Sequence, residues 1–287
     1  MINALRKLLG PEAVNDISGA PAVVIQDEAT ARALAAFARD RGWKLRAWSG
    51  RGAPSSPPPG GVILVAASRA LGGVVTLAAA DGYVEVAAAT AWLELQETLA
   101  PSRLWFPYVT PACREATLGE LIARAPANAL APLYGELPRF ILGLWFIADD
   151  GALVHTGRRT IKGVTGYNLA ALFTGTRGRN GLITRVRLRL EPRPRRAALW
   201  RVKNPPAPGA AVDRLCRAPM PGGYLVYAEV ATTPASLATV AAGAGVPPTK
   251  LAEGDAATAA FVRVVAESAS APAPPGGADL HVSGLFV

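Results

Sequence analysis

Gly157-Arg158-Arg159-Thr160-Ile161-Lys162-Gly163-Val164-Thr165-Gly166-Tyr167-Asn168-Leu169-Ala170-Ala171-Leu172-Phe173-Thr174-Gly175-Thr176-Arg177-Gly178-Arg179-Asn180-Gly181-Leu182-Ile183-Thr184 holds five glycines beyond Gly157, one lysine, and polar Thr, Tyr and Asn between them. Gly175, Gly178 and Gly181 recur every three residues, a period that belongs to a tight loop and not to a helix. Such a loop brings backbone N–H groups close to a ligand. Composition alone leaves two alternatives open here: a ligand-cradling loop, or a glycine-rich turn feeding the next strand. That strand is legible directly downstream. Leu182, Thr184, Val186, Leu188 and Leu190 alternate with Ile183, Arg185, Arg187 and Arg189, the period of a strand with one wet or cofactor-facing side. Residues 169–173 read as a short helix inside the stretch.

Upstream, residues 139–147 form an apolar strand, Asp149-Asp150-Gly151 a hairpin turn and residues 153–155 the return strand. Residues 117–124 read as a short helix. Residues 101–111 are an irregular loop whose Trp105, Phe106 and Tyr108 serve either as pocket lining or as core. Thr90 is placed to cap a helix over 91–99 with Trp92, Leu95 and Leu99 inward. Residues 73–77 and 83–86 make a hairpin around Asp81-Gly82, and residues 62–66 a strand. Residues 3–18 carry a leading helix with Gly10-Pro11 as its stop. Residues 22–25, a helix capped by Asp27 or Thr30 and running to Arg41, and residues 43–48 make a β-α-β unit. Ala31, Leu34, Ala35 and Ala38 supply the apolar stripe of its helix. Ser49-Gly50-Arg51-Gly52-Ala53-Pro54 and the proline-rich run to Gly61 are loop by composition.

Composition shifts near Pro192–Arg196, which puts a boundary close to residue 198. Beyond it we expect strands over 199–202, 224–230 and 281–287, helices over 211–217 and 235–242, and a flexible loop over 268–277. The chain of 287 residues is 51% hydrophobic and 18% charged, enough apolar material for a core and too much for wholesale disorder. The longest uncharged stretch, residues 231–249, is broken by prolines and glycines, so no span of ~20 apolar residues is present. Residues 1–10 contain Arg6 and Lys7 and lack a signal-peptide core, which sets the expectation of a soluble, cytoplasmic chain. Two cysteines, Cys113 and Cys216, and two histidines, His155 and His281, are too few and too scattered for a local zinc motif or an iron–sulfur cluster, so no metal site is assigned. The net charge of +9 comes with no basic helix and no stacking motif. It is read as compositional and not as a nucleic-acid interface.

The 157–184 stretch resembles the flavin-binding domain of the vanillyl-alcohol oxidase / p-cresol methylhydroxylase (PCMH) type of FAD-linked oxidase. It is most similar to the glycolate oxidase subunits of that group, whose pattern is roughly G-G-x-T-V-K-N-V-x-G-Y-D-L-x-x-L-F-x-G-S-x-G-T-L-G-I-I-T. Lys162, Gly166, Tyr167, Leu169, Leu172, Phe173, Gly175, Gly178, Gly181, Ile183 and Thr184 match, while Asn168, Thr176 and Asn180 replace Asp, Ser and Leu. Ala116-Thr117-Leu118-Gly119-Glu120 is similar to the family's A-T-x-G-G, with Glu120 at the second glycine. Tyr134-Gly135, six residues, then Leu142-Gly143 keeps the family's spacing. The resemblance covers roughly residues 1–195.

It implies an α+β PCMH-type FAD-binding fold over residues 1–198, with a small parallel β-α-β subdomain and a larger mixed or antiparallel sheet flanked by helices. A short, truncated α+β domain over residues 199–287 follows. It further implies FAD held without a covalent bond by Ser49, Gly50, Arg51, Gly52, Thr117, Gly119, Gly181, Leu182 and Ile183, with Arg51 neutralising a phosphate. No catalytic residue is assigned. About 90 residues after the flavin domain, with one histidine among them, are too few for the family's substrate domain. The resemblance therefore implies the FAD-binding subunit of a glycolate-oxidase-like complex that oxidises a small 2-hydroxy acid, the flavin accepting hydride. A larger FAD-containing subunit and an iron–sulfur subunit would be its partners, and any membrane contact would be peripheral, through the complex. The alternative is a flavin-free scaffold subunit, because the 49–53 loop is thin in glycine, Ala89 stands where the family has glycine, and Glu120 lies near the phosphates.

Overall fold

The computed structural model describes residues 1–17, 19–47, 60–68, 71–148, 152–157, 172–194, 197–202, 214–220, 223–229 and 249–253. The expected turn 149–151, helix 235–242, loop 268–277 and end strand 281–287 lie outside them, as does most of the expected helix 169–173.

Helix α1 (Ile2–Leu9) stops at Gly10, and Pro11 cannot continue its hydrogen-bond ladder. The expected leading helix is therefore shorter than 3–18, and its last residues become strand β1 (Val14–Ile17). β1 pairs antiparallel with β2 (Ala20–Ile25). Asp27 Oδ1 accepts from the Thr30 amide at 2.6 Å and caps α2 (Glu28–Asp40), whose Ala31, Leu34, Ala35, Phe37 and Ala38 are buried. Strand β3 (Lys44–Ala47) completes the expected β-α-β unit, but β2 and β3 are not neighbours. β4 (Val62–Ala67) lies between them and runs parallel to both, in the order β1-β2-β4-β3. Its Val62, Ile63, Leu64, Val65 and Ala66 are all buried, the continuous apolar run of a central strand covered on both faces. Leu5, Leu34, Phe37, Val23, Ile63 and Val65 form the core beneath α2.

The second sheet is antiparallel, in the order β5-β6-β10-β8-β9, with strands β5 (Val74–Ala78), β6 (Tyr83–Ala87), β8 (Ile141–Ile147), β9 (Leu153–Gly157) and β10 (Leu182–Arg189). Short strands β7 (Leu104–Trp105) and β11 (Glu191–Pro192) also occur. Helix α3 (Trp92–Leu99) buries Trp92, Leu95 and Leu99 as its spacing predicts. Thr90 does not cap it. The residue preceding α3 is Ala91, and Thr90 Oγ1 instead accepts from the Gly73 amide at 2.7 Å, tying the helix entry to the start of β5. On β10 the arginine face is not uniformly wet. Arg187 is 4% exposed because Glu85 of β6 stands directly opposite it and accepts from its Nε at 2.9 Å.

The chain divides into two compact units: residues 1–106, 115–126 and 137–191, and residues 107–114, 127–136 and 192–287. A single cut at 198 does not describe this division, because two segments from the middle of the chain join the second unit. There, Asn128 holds the backbone of Pro107, Val109, Leu130 and Gly135, and α5 (Ala131–Tyr134) packs on β13 (Arg214–Met220). Strands β12 (Ala197–Val202), β14 (Gly223–Glu229) and β15 (Thr249–Glu253) complete an antiparallel sheet in the order β13-β14-β12-β15. The expected helix 211–217 is overturned from residue 214 onward: Arg214–Met220 is a strand paired along its length with β14. As an edge strand, β13 tolerates Pro219, which a helix continuing past residue 217 would not. The mixture of one sheet with parallel pairs and one antiparallel sheet in the first unit is the α+β class expected.

Candidate functional site

Three stretches far apart in sequence meet at the first turn of α4 (Leu118–Arg124). Thr117 caps this helix, its Oγ1 accepting from the Glu120 amide at 3.3 Å. The Leu118 amide donates to Thr90 O at 2.9 Å and the Gly119 amide to Ala88 O at 2.8 Å, while the Ala88 amide donates to Thr184 O at 2.9 Å. The end of β6, the start of α4 and the start of β10 are thereby locked together. The approach is close. A Cβ on Gly119 would press on Ala88 Cβ at 3.0 Å, and at Gly181 glycine is required, because φ is +130° and a Cβ would lie 2.6 Å from Ile147 O. The glycine loop before β10 spends two of its amides on the helix. Gly175 donates to Ile122 O at 3.0 Å and Arg177 to Ala123 O at 2.7 Å, satisfying carbonyls at the C-terminal end of α4.

Between these elements lies a cavity of about 50 Å³. Thr117, Gly119, Gly181, Leu182 and Ile183, the expected cofactor contacts among the described residues, all line it. Leu45 of β3, with Val65 and Ala67 of β4, closes the other side together with Ala88, Gly178 and Glu120. Leu45 and Val65 carry no local signal beyond being apolar residues of expected strands. A second cavity, about 480 Å³, shares Leu45, Gly178 and Gly181 with the first and carries Arg39, Lys44 and Arg179 on its walls.

Glu120 is the ionisable side chain of the smaller cavity, and it is 5% exposed. Its Oε1 accepts from Arg124 Nη1 at 2.9 Å, and its Oε2 is buried without a hydrogen-bond partner among the described residues. Ser49, Gly50, Arg51 and Gly52 lie outside the described residues, as do Arg158, Arg159, Lys162, Tyr167 and His281.

The aromatic residues of the 101–111 loop belong to the core. Trp105, Phe106 and Tyr108 are buried, line neither cavity, and Phe106 meets Phe140 edge-on at 5.5 Å. Burial pushes the Tyr108 hydroxyl and the Cys113 thiol well above their usual ranges, so both stay protonated. His155 is an exposed strand residue stacked on Trp145 at 4.1 Å. Among the described residues no group of three His, Cys, Asp or Glu side chains is placed to hold a metal, and no helix is long and apolar enough to cross a membrane.

Residues 20–157 match the family described as FAD binding domain. Similar curated proteins include a probable mitochondrial D-lactate dehydrogenase of Danio rerio, 37% identical over 120 residues, which cover 41% of this chain and 24% of that protein. The D-lactate dehydrogenase of Archaeoglobus fulgidus is 32% identical over 117 residues, covering 40% of this chain and 26% of its own. Glycolate oxidase subunit GlcE of Escherichia coli is 35% identical over 81 residues, 28% of this chain and 23% of its own. The matched stretch thus spans about a quarter of the length of these relatives. A solved structure of alkyldihydroxyacetonephosphate synthase superposes with a TM-score of 0.57 at 12% identity, over 71% of this chain and 42% of that one, a likeness of fold. Residues 20–157, just under half of the chain, thus match the FAD binding domain family and indicate FAD as the cofactor, on an α+β fold of the PCMH type.

Proposed function

We propose that this chain is the FAD-binding subunit of a glycolate-oxidase-like complex that oxidises a small 2-hydroxy acid. The convergence of Thr117, Gly119, Gly181, Leu182 and Ile183 on one cavity carries the proposal. That cavity fits part of FAD. Ala88, Gly119 and Gly181 keep its wall free of bulk, so a flat ring can approach backbone, and the apolar Leu45, Val65 and Leu182 suit ring faces. Thr117 keeps its O–H to donate, and Glu120 Oε2 is left to accept. A volume of about 50 Å³ admits the edge of such a ring and not a dinucleotide. The pyrophosphate is therefore assigned to Ser49, Gly50, Arg51 and Gly52, with the Arg51 guanidinium as its charge partner.

The chemistry supplied by FAD, once bound without a covalent link, is acceptance of a hydride from the hydroxylated carbon of the substrate. The chain's own work is to bind and orient: Thr117 and Glu120 hold ring edges, and the glycines set the depth of approach. Relatives named D-lactate dehydrogenase and glycolate oxidase subunit point to the 2-hydroxy-acid class, since lactate and glycolate both belong to it. Two different glycolate oxidase subunits, GlcD of Bacillus subtilis and GlcE of Escherichia coli, are among those relatives, which supports a complex containing a larger FAD subunit. An iron–sulfur subunit and a cytoplasmic location belong to the same proposal, on the family resemblance and the sequence.

The purified chain should take up FAD and show flavin absorbance in the visible, with a raised melting temperature. A chain that stays colourless with no FAD-dependent thermal shift refutes the proposal and supports the flavin-free scaffold, which the glycine-poor 49–53 loop and Ala89 in place of glycine favour. Arg51→Ala should weaken FAD binding roughly tenfold, the loss of one charge-assisted hydrogen bond. Affinity capture from the source cells should bring down a flavin protein and an iron-containing protein in fixed ratio.

A further inference from the structure

We infer that Glu120 is a ligand-binding acceptor whose buried Oε2 takes a hydrogen bond from the N–H edge of a flat heteroaromatic ring that enters the small cavity edge-first. The inference rests on the proposal that this chain binds FAD and names the contact by which it does so.

The carboxylate is unevenly satisfied. Oε1 has Arg124 Nη1 at 2.9 Å, yet the Arg124 side chain is 58% exposed and reaches only that oxygen. Oε2 faces no donor among the described residues although the residue is 5% exposed. A buried carboxylate oxygen without a partner is costly, and native structures keep few of them. The surroundings say what kind of donor is missing. Leu45, Val65, Ala88 and Leu182 offer apolar contact and no cation, so a flat ring with a polar edge suits the space better than a charged group. A phosphate is disfavoured by the like charge of the Glu120 carboxylate on the cavity wall. Basic side chains suited to phosphates, Lys44 and Arg179, line the adjoining larger cavity instead. Both halves of FAD present a flat ring with an N–H edge: the adenine amine and the ring imide of the isoalloxazine. The family pattern has glycine at this position, so the contact belongs to this chain and is not carried over with the resemblance.

The test is titration calorimetry of the full purified chain with FAD, ADP and FMN, with folding followed by melting temperature. Glu120→Ala and the similarly sized Glu120→Met remove the acceptor. Glu120→Gln keeps an acceptor oxygen without the charge, and Arg124→Ala removes only the ion pair. We expect Glu120→Ala and Glu120→Met to weaken FAD roughly tenfold or more, Glu120→Gln to stay within about threefold of the wild type, and Arg124→Ala within about twofold. A parallel loss for ADP but not FMN places adenine in the cavity, and the reverse places the flavin ring there. Unchanged FAD affinity in both acceptor-less variants overturns the inference, as does tighter binding by Glu120→Gln, which would make the carboxylate a repulsive group. If the wild type binds none of the three, the FAD proposal falls and this inference with it; if the wild type binds FAD and Glu120 has no effect, only the inference falls.

Discussion

Asn128 uses its whole side-chain amide on the backbone around it. Oδ1 accepts from the Val109 amide at 2.9 Å and the Leu130 amide at 3.0 Å, and Nδ2 donates to Pro107 O at 3.1 Å and Gly135 O at 2.8 Å. The residue is fully buried, so Asn128→Ala strands several backbone groups at once. It should cost about 3 kcal/mol or more, read from the denaturant midpoint at unchanged slope. An isolated Asn between alanines is indistinguishable in sequence from an ordinary turn residue, and nothing local marks it as a hub. Gly181 is the opposite case. Its three-residue spacing from Gly178 and its place before an alternating strand were visible in the chain, and the structure supplies the reason: φ is +130° and the Ile147 carbonyl stands where a side chain would begin. Glu120 falls between the two. Its departure from a glycine pattern was plain, but which oxygen is satisfied is a fact of packing.

At the scale of elements, α2 and β10 give the clearest tests. The Asp27 carboxyl lies below its ordinary value of 3.8, chiefly because it accepts hydrogen bonds from Thr30. A carboxyl depressed by folding stabilises the native state above its unfolded pKa, and loses that contribution as pH falls through the folded value. Asp27→Ala should therefore lower the melting temperature by a few degrees at neutral pH, and the difference should narrow as pH falls through the folded carboxyl's lowered value, as thermal scans from neutral into the acid range would record. On β10, the Arg187–Glu85 pair is buried between two strands in register. Glu85→Ala leaves the guanidinium charged without that partner and should cost about 3–5 kcal/mol. The double replacement Glu85→Leu with Arg187→Met should recover most of it in denaturation experiments. Alternation announced β10 but could not say that Glu85 would stand opposite Arg187, because the register of β6 against β10 joins positions 102 apart. β13 fails in the sequence for the same reason: the partner that makes it a strand is β14, and helical spacing is only a local signal.

For the whole molecule, the site is assembled from β3, β4, the β6 end, α4 and the start of β10, all within the first compact unit. A ligand bound there stabilises the native state by mass action, about 2.7 kcal/mol at a hundredfold excess over Kd. Saturating FAD should raise the melting temperature and slow hydrogen exchange most in residues 117–124 and 172–183, with residues 214–229 of the second unit changed little. Uniform protection across both units would argue against a site confined to the first. The second unit draws residues 107–114 and 127–136 from the middle of the chain, an exchange that no shift in composition marks.

The sequence by itself determined the β-α-β opening, the hairpin around Gly82, the glycine loop and the strand that follows it, and with them the flavin-domain resemblance. Each rests on signals within a few residues of one another: alternation, helical spacing, caps and glycines. Only the tertiary structure decided that β4 inserts between β2 and β3, that Arg187 is buried, that residues 214–217 are strand, and that Thr117, Gly119 and Glu120 share a cavity with Gly181, Leu182 and Ile183. These outcomes depend on pairing and packing between segments distant along the chain, where the energy of a contact is set by its partner and not by the neighbouring sequence.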